Sequence, residues 1–171
     1  MTPSPIPGKI SNVAAKSKTS PAEQVVERHG ALVVDLCETV LWDQSHAQQA
    51  YHWISKQLRK SKEAFEVHER SWVLQIACSR IQEIDARHKI QLTPSEQIEL
   101  DSASNPVSRR ERFRYYFHRL TTEQRILLTL RERHKVPYSE IGAALGIPID
   151  SLKILRQQAL RTIEDWIWEG K

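Results

Sequence analysis

Few residues of this chain are spaced for covalent or metal chemistry. Its seven histidines lack ligand spacing. His46 and His52 are six apart and so not on one helical face, and His29, His68, His88, His118 and His134 have no paired spacing, so no metal site is expected. Cys37 and Cys78 stand far apart in apolar helical patterns, with no second Cys or His at zinc-binding distance, and read as buried thiols in a reducing compartment. No nucleophile motif, phosphate loop or carboxylate pair stands out, so neither an enzyme nor a cofactor is expected. The pattern with recognition chemistry lies near the C-terminus. Asp150, Lys153, Ile154, Gln157 and Arg161 fall at i, i+3, i+4, i+7 and i+11, one face of a helix. Lys153 has the reach for guanine or phosphate, Gln157 the amide that pairs with adenine, and Ile154 the apolar surface that meets a thymine methyl. Arg156 and Arg161 suit phosphates, which supply affinity rather than sequence choice. The bland alternative is a solvated face on a helical hairpin.

The elements that would hold this face in place can be read from apolar spacing. The last helix begins after Pro148 and buries Leu152, Leu155, Ala159 and Ile163. Before it, Tyr138 to Leu145 forms a short helix that packs through Ile141, Ala144 and Leu145 and stops at Gly146, where positive φ permits a tight turn. Ile147 fills the crevice between the two helices. A pair of short helices with a Gly turn of this length is a helix-turn-helix pattern. Upstream, Thr121-Thr122-Glu123-Gln124 is a capping box opening a helix with core residues Ile126, Leu127 and Leu130. Ser108-Arg109-Arg110-Glu111 is another, before Phe113, Tyr116, Phe117 and Leu120 on an inward face.

The N-terminal half has its own periodicity. Val25, Val26, His29, Leu32, Val33, Leu36, Cys37 and Val40 mark one or two helices. Ser45 is positioned to cap the next, with Ala47, Ala50, Tyr51, Ile54 and Leu58 inward. A third, about Glu69 to His88, carries Trp72, Val73, Ile76, Ala77, Arg80, Ile81 and Ile84. Residues 1–21 contain four prolines and few large apolar groups, which predicts a disordered tail. Residues 91–107 lose the pattern at Asp101-Ser102-Ala103-Ser104-Asn105-Pro106, which predicts a linker. The expectation is an all-α chain: two small helical domains, 22–90 and 108–171, joined by a flexible linker, the second a four-helix unit containing the helix-turn-helix.

Composition is compatible with this. The 171 residues are 40% hydrophobic and 27% charged with a net charge of +4, which suits a polyanionic partner. The charge is uneven: basic and acidic residues balance at nine each from Gln24 to Lys89, but stand at thirteen to eight from Arg109 to Lys171. No apolar run approaches the roughly 20 residues a bilayer span needs. Lys9, Lys16 and Lys18 precede no apolar core, so no signal peptide is expected, and the location read from this is cytoplasmic. Trp166 and Trp168 read as caps on a core.

From Leu120 to Ile163 the chain resembles the C-terminal domain of bacterial sigma factors, especially the small extracytoplasmic-function type. The family's Leu-Pro-x-x-x-Arg appears as Leu120-Thr121-Thr122-Glu123-Gln124-Arg125. Its Tyr-x-Glu-Ile-Ala-x-x-Leu-Gly-Ile-Pro is matched by Tyr138 through Pro148 with Gly142 in place of the alanine, its Thr-Val-Lys by Ser151-Leu152-Lys153, and the alanine of its Arg-Ala pair by Ala159. The N-terminal half is similar to the family's core domain: its Arg-x-Trp-Leu-x-x-Ile-Ala-x-Asn is Arg70-Ser71-Trp72-Val73-Leu74-Gln75-Ile76-Ala77-Cys78-Ser79. The resemblance covers about residues 24 to 165. The departures are specific. The acidic sequence of the family's polymerase-binding helix is here His46-Ala47-Gln48-Gln49 and later His52-Trp53; the usual Arg-Leu order is Leu155-Arg156; and the arginine before the alanine is Gln158.

The resemblance implies an alternative sigma factor that joins core RNA polymerase and directs it to particular promoters, with an anti-sigma protein as a further candidate partner. Ser151, Lys153, Ile154, Arg156, Gln157 and Arg161 would contact the duplex upstream element. Trp72, Gln75, Ser79 and Arg80 would face the melted downstream element, and Gln48, Gln49, Tyr51, His52 and Lys56 would face polymerase. The alternative, favoured by the lost acidic residues, is a sigma-like adaptor or mimic that binds polymerase or an anti-sigma protein without reading promoters. An ordinary helix-turn-helix repressor fits the two-part layout least.

Overall fold

The computed structural model describes residues 19–61, 68–88 and 109–169. The expected linker 91–107, the tail up to residue 18 and Ser108 of the expected capping box lie outside them. Among the described residues every regular element is a helix: α1 (Pro21–Val40), α2 (Gln44–Lys60), α3 (Glu69–Arg87), α4 (Arg109–Arg119), α5 (Thr122–Leu128) running into one π turn (Thr129–Arg133), α6 (Tyr138–Leu145) and α7 (Ile149–Glu169). None is long and apolar enough to cross a membrane.

Local chemistry sets where the helices begin. Ser20 caps α1 in a reciprocal box: its hydroxyl accepts from the Glu23 amide at 3.2 Å, and its own amide donates to the Glu23 carboxylate at 2.9 Å. Pro21 then occupies the first turn, where no amide hydrogen is required, so residues 20 and 21 belong to this helix start rather than to a tail. The Val25-to-Val40 pattern is one continuous helix. The second helix is capped by Asp43, not Ser45: the carboxylate accepts from the amides of both Ser45 and His46, and the Ser45 hydroxyl itself donates to it. A charged acceptor satisfies two orphan amides and complements the positive end of the helix dipole. The Thr121–Gln124 box forms as expected.

The helices before residue 89 and those after residue 108 share one core. Val33, Leu36 and Val40 of α1, Ala50 and Ile54 of α2, and Val73, Leu74 and Ile81 of α3 are fully buried. Ile126, Leu127 and Leu130 of α5 and its π turn, Ile141 of α6 and Leu152 of α7 join the same cluster. A second, smaller cluster of Phe117, Leu120, Leu128, Ala159 and Ile163 holds α4 against the C-terminal half of α7. The expected inward face of α4 needs correction: Tyr115 is buried, whereas Phe113 is 48% exposed. Aromatic residues at 113, 115, 116 and 117 encircle the helix, so spacing does not select a face. Arg114 selects it by donating to the Trp42 carbonyl at 2.7 Å and lying 4.6 Å over the Trp42 ring. Trp166 stacks on Tyr116 as a cap on this cluster, but Trp168 is 64% exposed.

Polar contacts span the same boundary. Arg70 pairs bidentately with Glu140, both bonds at 2.6 Å, and Asp35 pairs with Arg133 and His134, each at 2.6 Å. Arg125, 3% exposed, donates to the Val40 carbonyl at 3.0 Å and to Asp85 at 2.7 Å, and its guanidinium lies 2.8 Å from His118 Nδ1. One arginine thereby ties the end of α1, α3, α4 and α5 together. Burial, followed by the positive charges of Arg125 and Arg114, pushes the His118 pKa down to about 3, so its ring is neutral and Nδ1 can accept. Cys37 and Cys78 are free and buried, and burial pushes both thiols up to about 12, which leaves them packing groups rather than nucleophiles.

Candidate nucleic-acid interface

The angle between α6 and α7 is set by two glycines acting differently. Gly146 ends α6 at φ +67°, the left-handed conformation an L side chain resists. Gly142 provides clearance: a Cβ there would stand 2.7 Å from the Ile147 carbonyl oxygen and 3.5 Å from Leu152 Cδ1. That clearance lets the Gly142 carbonyl accept from the Ile147 amide at 3.1 Å, closing the turn, while Ile147 packs against the core. The Pro148 carbonyl accepts from the Leu152 amide at 3.0 Å and starts α7. Ile141, Ala144 and Leu152 are buried, so both helices are anchored from beneath.

This anchoring leaves a row on α7 pointing out. Ser151, Lys153, Ile154, Gln157 and Arg161 are all exposed, Ile154 by 57%. The opposing residues Leu152, Ala159 and Ile163 are buried, and Leu155 is half-buried against the core. Lys153 has one loose partner, Asp150 at 3.5 Å. Arg156 is placed differently from its neighbours: half-buried, it is bonded through Nε to Glu132 of the π turn. That hydrogen bond is the main reason the Glu132 carboxyl sits below the usual range. Any phosphate would have to compete with Glu132 for Arg156.

The second expected set does not form one open surface. Gln75 and Ser79 of α3 are exposed, but Trp72 is half-buried and packs against the core. With His68, Ser71 and Gln75, Trp72 lines a groove of about 470 Å³ whose other wall is Ser139, Glu140 and Ala143 of α6. Arg80 turns the other way, pairing with Glu83 at 2.7 Å and lying 4.8 Å over the ring of Trp53 on α2. The third set shares the outer side of α2, with Gln48, Gln49, His52 and Lys56 exposed. Tyr51 is the exception: it is half-buried against the core, with its hydroxyl 3.4 Å from where a Gly30 Cβ would stand.

Two residues assigned no role from the sequence have one in the structure. Arg125 matches a motif position, yet nothing in its spacing announces that it is buried or what it binds. Trp53 is 36% exposed under Arg80; an aromatic between His52 and Ile54 gave no periodic signal because it lies at the edge of the apolar stripe. Compared with protein-family models and with curated proteins, the chain matches none.

Proposed function

We propose that the chain is an alternative sigma factor, a binding protein rather than an enzyme, which joins core RNA polymerase and selects promoters through the helix-turn-helix of α6 and α7. What supports this reading is the exposed row Ser151, Lys153, Ile154, Gln157 and Arg161 on a helix held from beneath by Ile141, Ala144 and Leu152. In the major groove the N-terminal residues of such a helix reach base edges, and its later cations reach phosphates. Lys153 and Gln157 would read bases, Ile154 a thymine methyl, and Arg161 the backbone. Gln75 and Ser79, the exposed members of the α3 set, would contribute to capture of a melted strand.

The experiment is Lys153→Glu, assayed by promoter-dependent transcription from a genomic promoter library with purified core polymerase, beside a thermal melt. Loss of one base or phosphate contact and its replacement by repulsion costs on the order of 1–3 kcal/mol per contact. Because Lys153 is exposed, the melt should be unchanged within about 0.5 kcal/mol. Full activity of the variant, or no promoter activity in the parent protein, refutes the reading. In that event the second reading gains: an adaptor that keeps the fold but binds a protein. It is favoured by α2, where the acidic residues of the resembling family are replaced by Gln48 and Gln49.

A further inference from the structure

Histidine spacing along the chain points to no metal site, but spacing does not register pairs made by packing. His46, in the first turn of α2, and His88, the residue that ends α3, are far apart in sequence. The two helices bring their rings face to face, with centroids 4.1 Å apart and planes 22° from parallel. His46 is half-buried and His88 exposed, so solvent reaches the pair. Asp43 Oδ1 lies 3.9 Å from His46 Nδ1, beyond hydrogen-bond reach but close enough to favour a proton on that nitrogen. Nε2 of His46 then keeps its lone pair. The surrounding charge suits a cation: Arg87, next to His88, is paired with Glu83 at 2.6 Å, and the pair of rings lies between the Asp43 carboxylate and the negative end of the α3 dipole.

We infer that His46 and His88 form a binding site for a divalent transition ion of the zinc class, held by one nitrogen from each ring. Two imidazole nitrogens on one ion, each about 2.1 Å from it, stand about 3–3.4 Å apart. The 22° tilt already brings one side of the stacked rings closer than their centroids, and side-chain rotation supplies the rest. Imidazole selects the ion: Mg²⁺ and Ca²⁺ demand oxygen ligands, whereas zinc and its neighbours take neutral nitrogen. Among the described residues no third His, Cys, Asp or Glu completes the set, so water fills the remaining positions. Asp43 is committed to capping α2 through the Ser45 and His46 amides, and it acts on the ion by its charge and by orienting His46. The bound ion would clip the start of α2 to the end of α3, whether or not the chain reads promoters.

The test titrates zinc into the full chain in competition with a chromogenic chelator, beside thermal melts in zinc and in EDTA. His46→Ala and His88→Ala should each weaken zinc binding by more than about tenfold, since losing even an outer partner of a metal ligand costs about 10–100-fold. The double variant should lose little more than either single one, the mark of one ion held by both rings. Zinc should raise the melting temperature of the parent and not of the variants, because an ion bound only by the folded chain stabilises it. Both side chains reach solvent, so in EDTA all three variants should melt like the parent. Equal zinc affinity of the parent and the double variant overturns the inference. So does a loss confined to one histidine, which marks binding at a single exposed imidazole, and so does displacement of zinc by an equal concentration of Mg²⁺, which marks a carboxylate site.

Discussion

Replacing Arg125 by Met removes the guanidinium that joins four helices while retaining a side chain of similar reach. The arginine side chain is 4% exposed and its partner Asp85 is 19% exposed. Four contacts vanish: the Val40 carbonyl at 3.0 Å, the Asp85 carboxylate at 2.7 Å, His118 Nδ1 at 2.8 Å and the more distant Thr122 hydroxyl at 3.5 Å. Removing one partner of a buried ion pair costs about 3–5 kcal/mol, because the other charge stays desolvated. Asp85 retains some access to water and the Thr122 hydroxyl donates to it, so the lower end, about 3 kcal/mol, is expected. For a chain of this size that corresponds to a melting temperature lower by about 6–12 °C. Urea unfolding followed by circular dichroism measures the change, and a cycle with Asp85→Asn should show a coupling above about 1 kcal/mol. A loss below about 1 kcal/mol, or additive single variants, would refute the assignment of Arg125 as the tie between the two groups of helices.

Other perturbations test other parts. The His118 pKa is lowered from its ordinary value of 6.5 to about 3, so protonation favours the unfolded chain: stability should fall as pH drops below 6.5, by at most about 1.4 kcal/mol per pH unit. Measured between pH 6.5 and 4.5, above the range where the lowered carboxyls Glu132 and Glu140 titrate, that slope should flatten in His118→Gln. Gly142→Ala should destabilise by about 1–3 kcal/mol, since the added methyl meets a backbone oxygen rather than a side chain that can move; an unchanged urea midpoint would contradict the close approach. Gln48→Glu with Gln49→Asp should tighten capture of core polymerase if α2 docks as in the resembling family, and weaker or equal capture favours another partner.

Much of the helical plan was legible because it depends on near neighbours. Three- and four-residue apolar spacing located α1, α3, α5 and α7; the Thr121–Gln124 box marked a start; Gly146 marked a stop. Each is a local effect, complete within about one turn of helix. The exposed row on α7 followed from the same periodicity, since fixing Leu152, Ala159 and Ile163 inward fixes Lys153, Gln157 and Arg161 outward. Local signals also misled where two residues competed. Asp43 displaced Ser45 as the cap of α2 because a carboxylate takes two amides at once.

What the sequence by itself determined is therefore the all-helical class, most helix limits and the side of α7 that faces out. The tertiary structure alone decided which of the remaining polar residues are held by partners far along the chain. Arg125 reaches Val40 and Asp85 at separations of 85 and 40 residues, Arg114 reaches Trp42 across 72, and Arg80 lies over Trp53. No periodicity encodes such pairs: helical repeats state which side of a helix is buried, but not which other helix buries it. The half-burial of Trp72, the rotation of α4 about Arg114 and the cation–π contact at Trp53 all follow from that second choice, made when the helices pack.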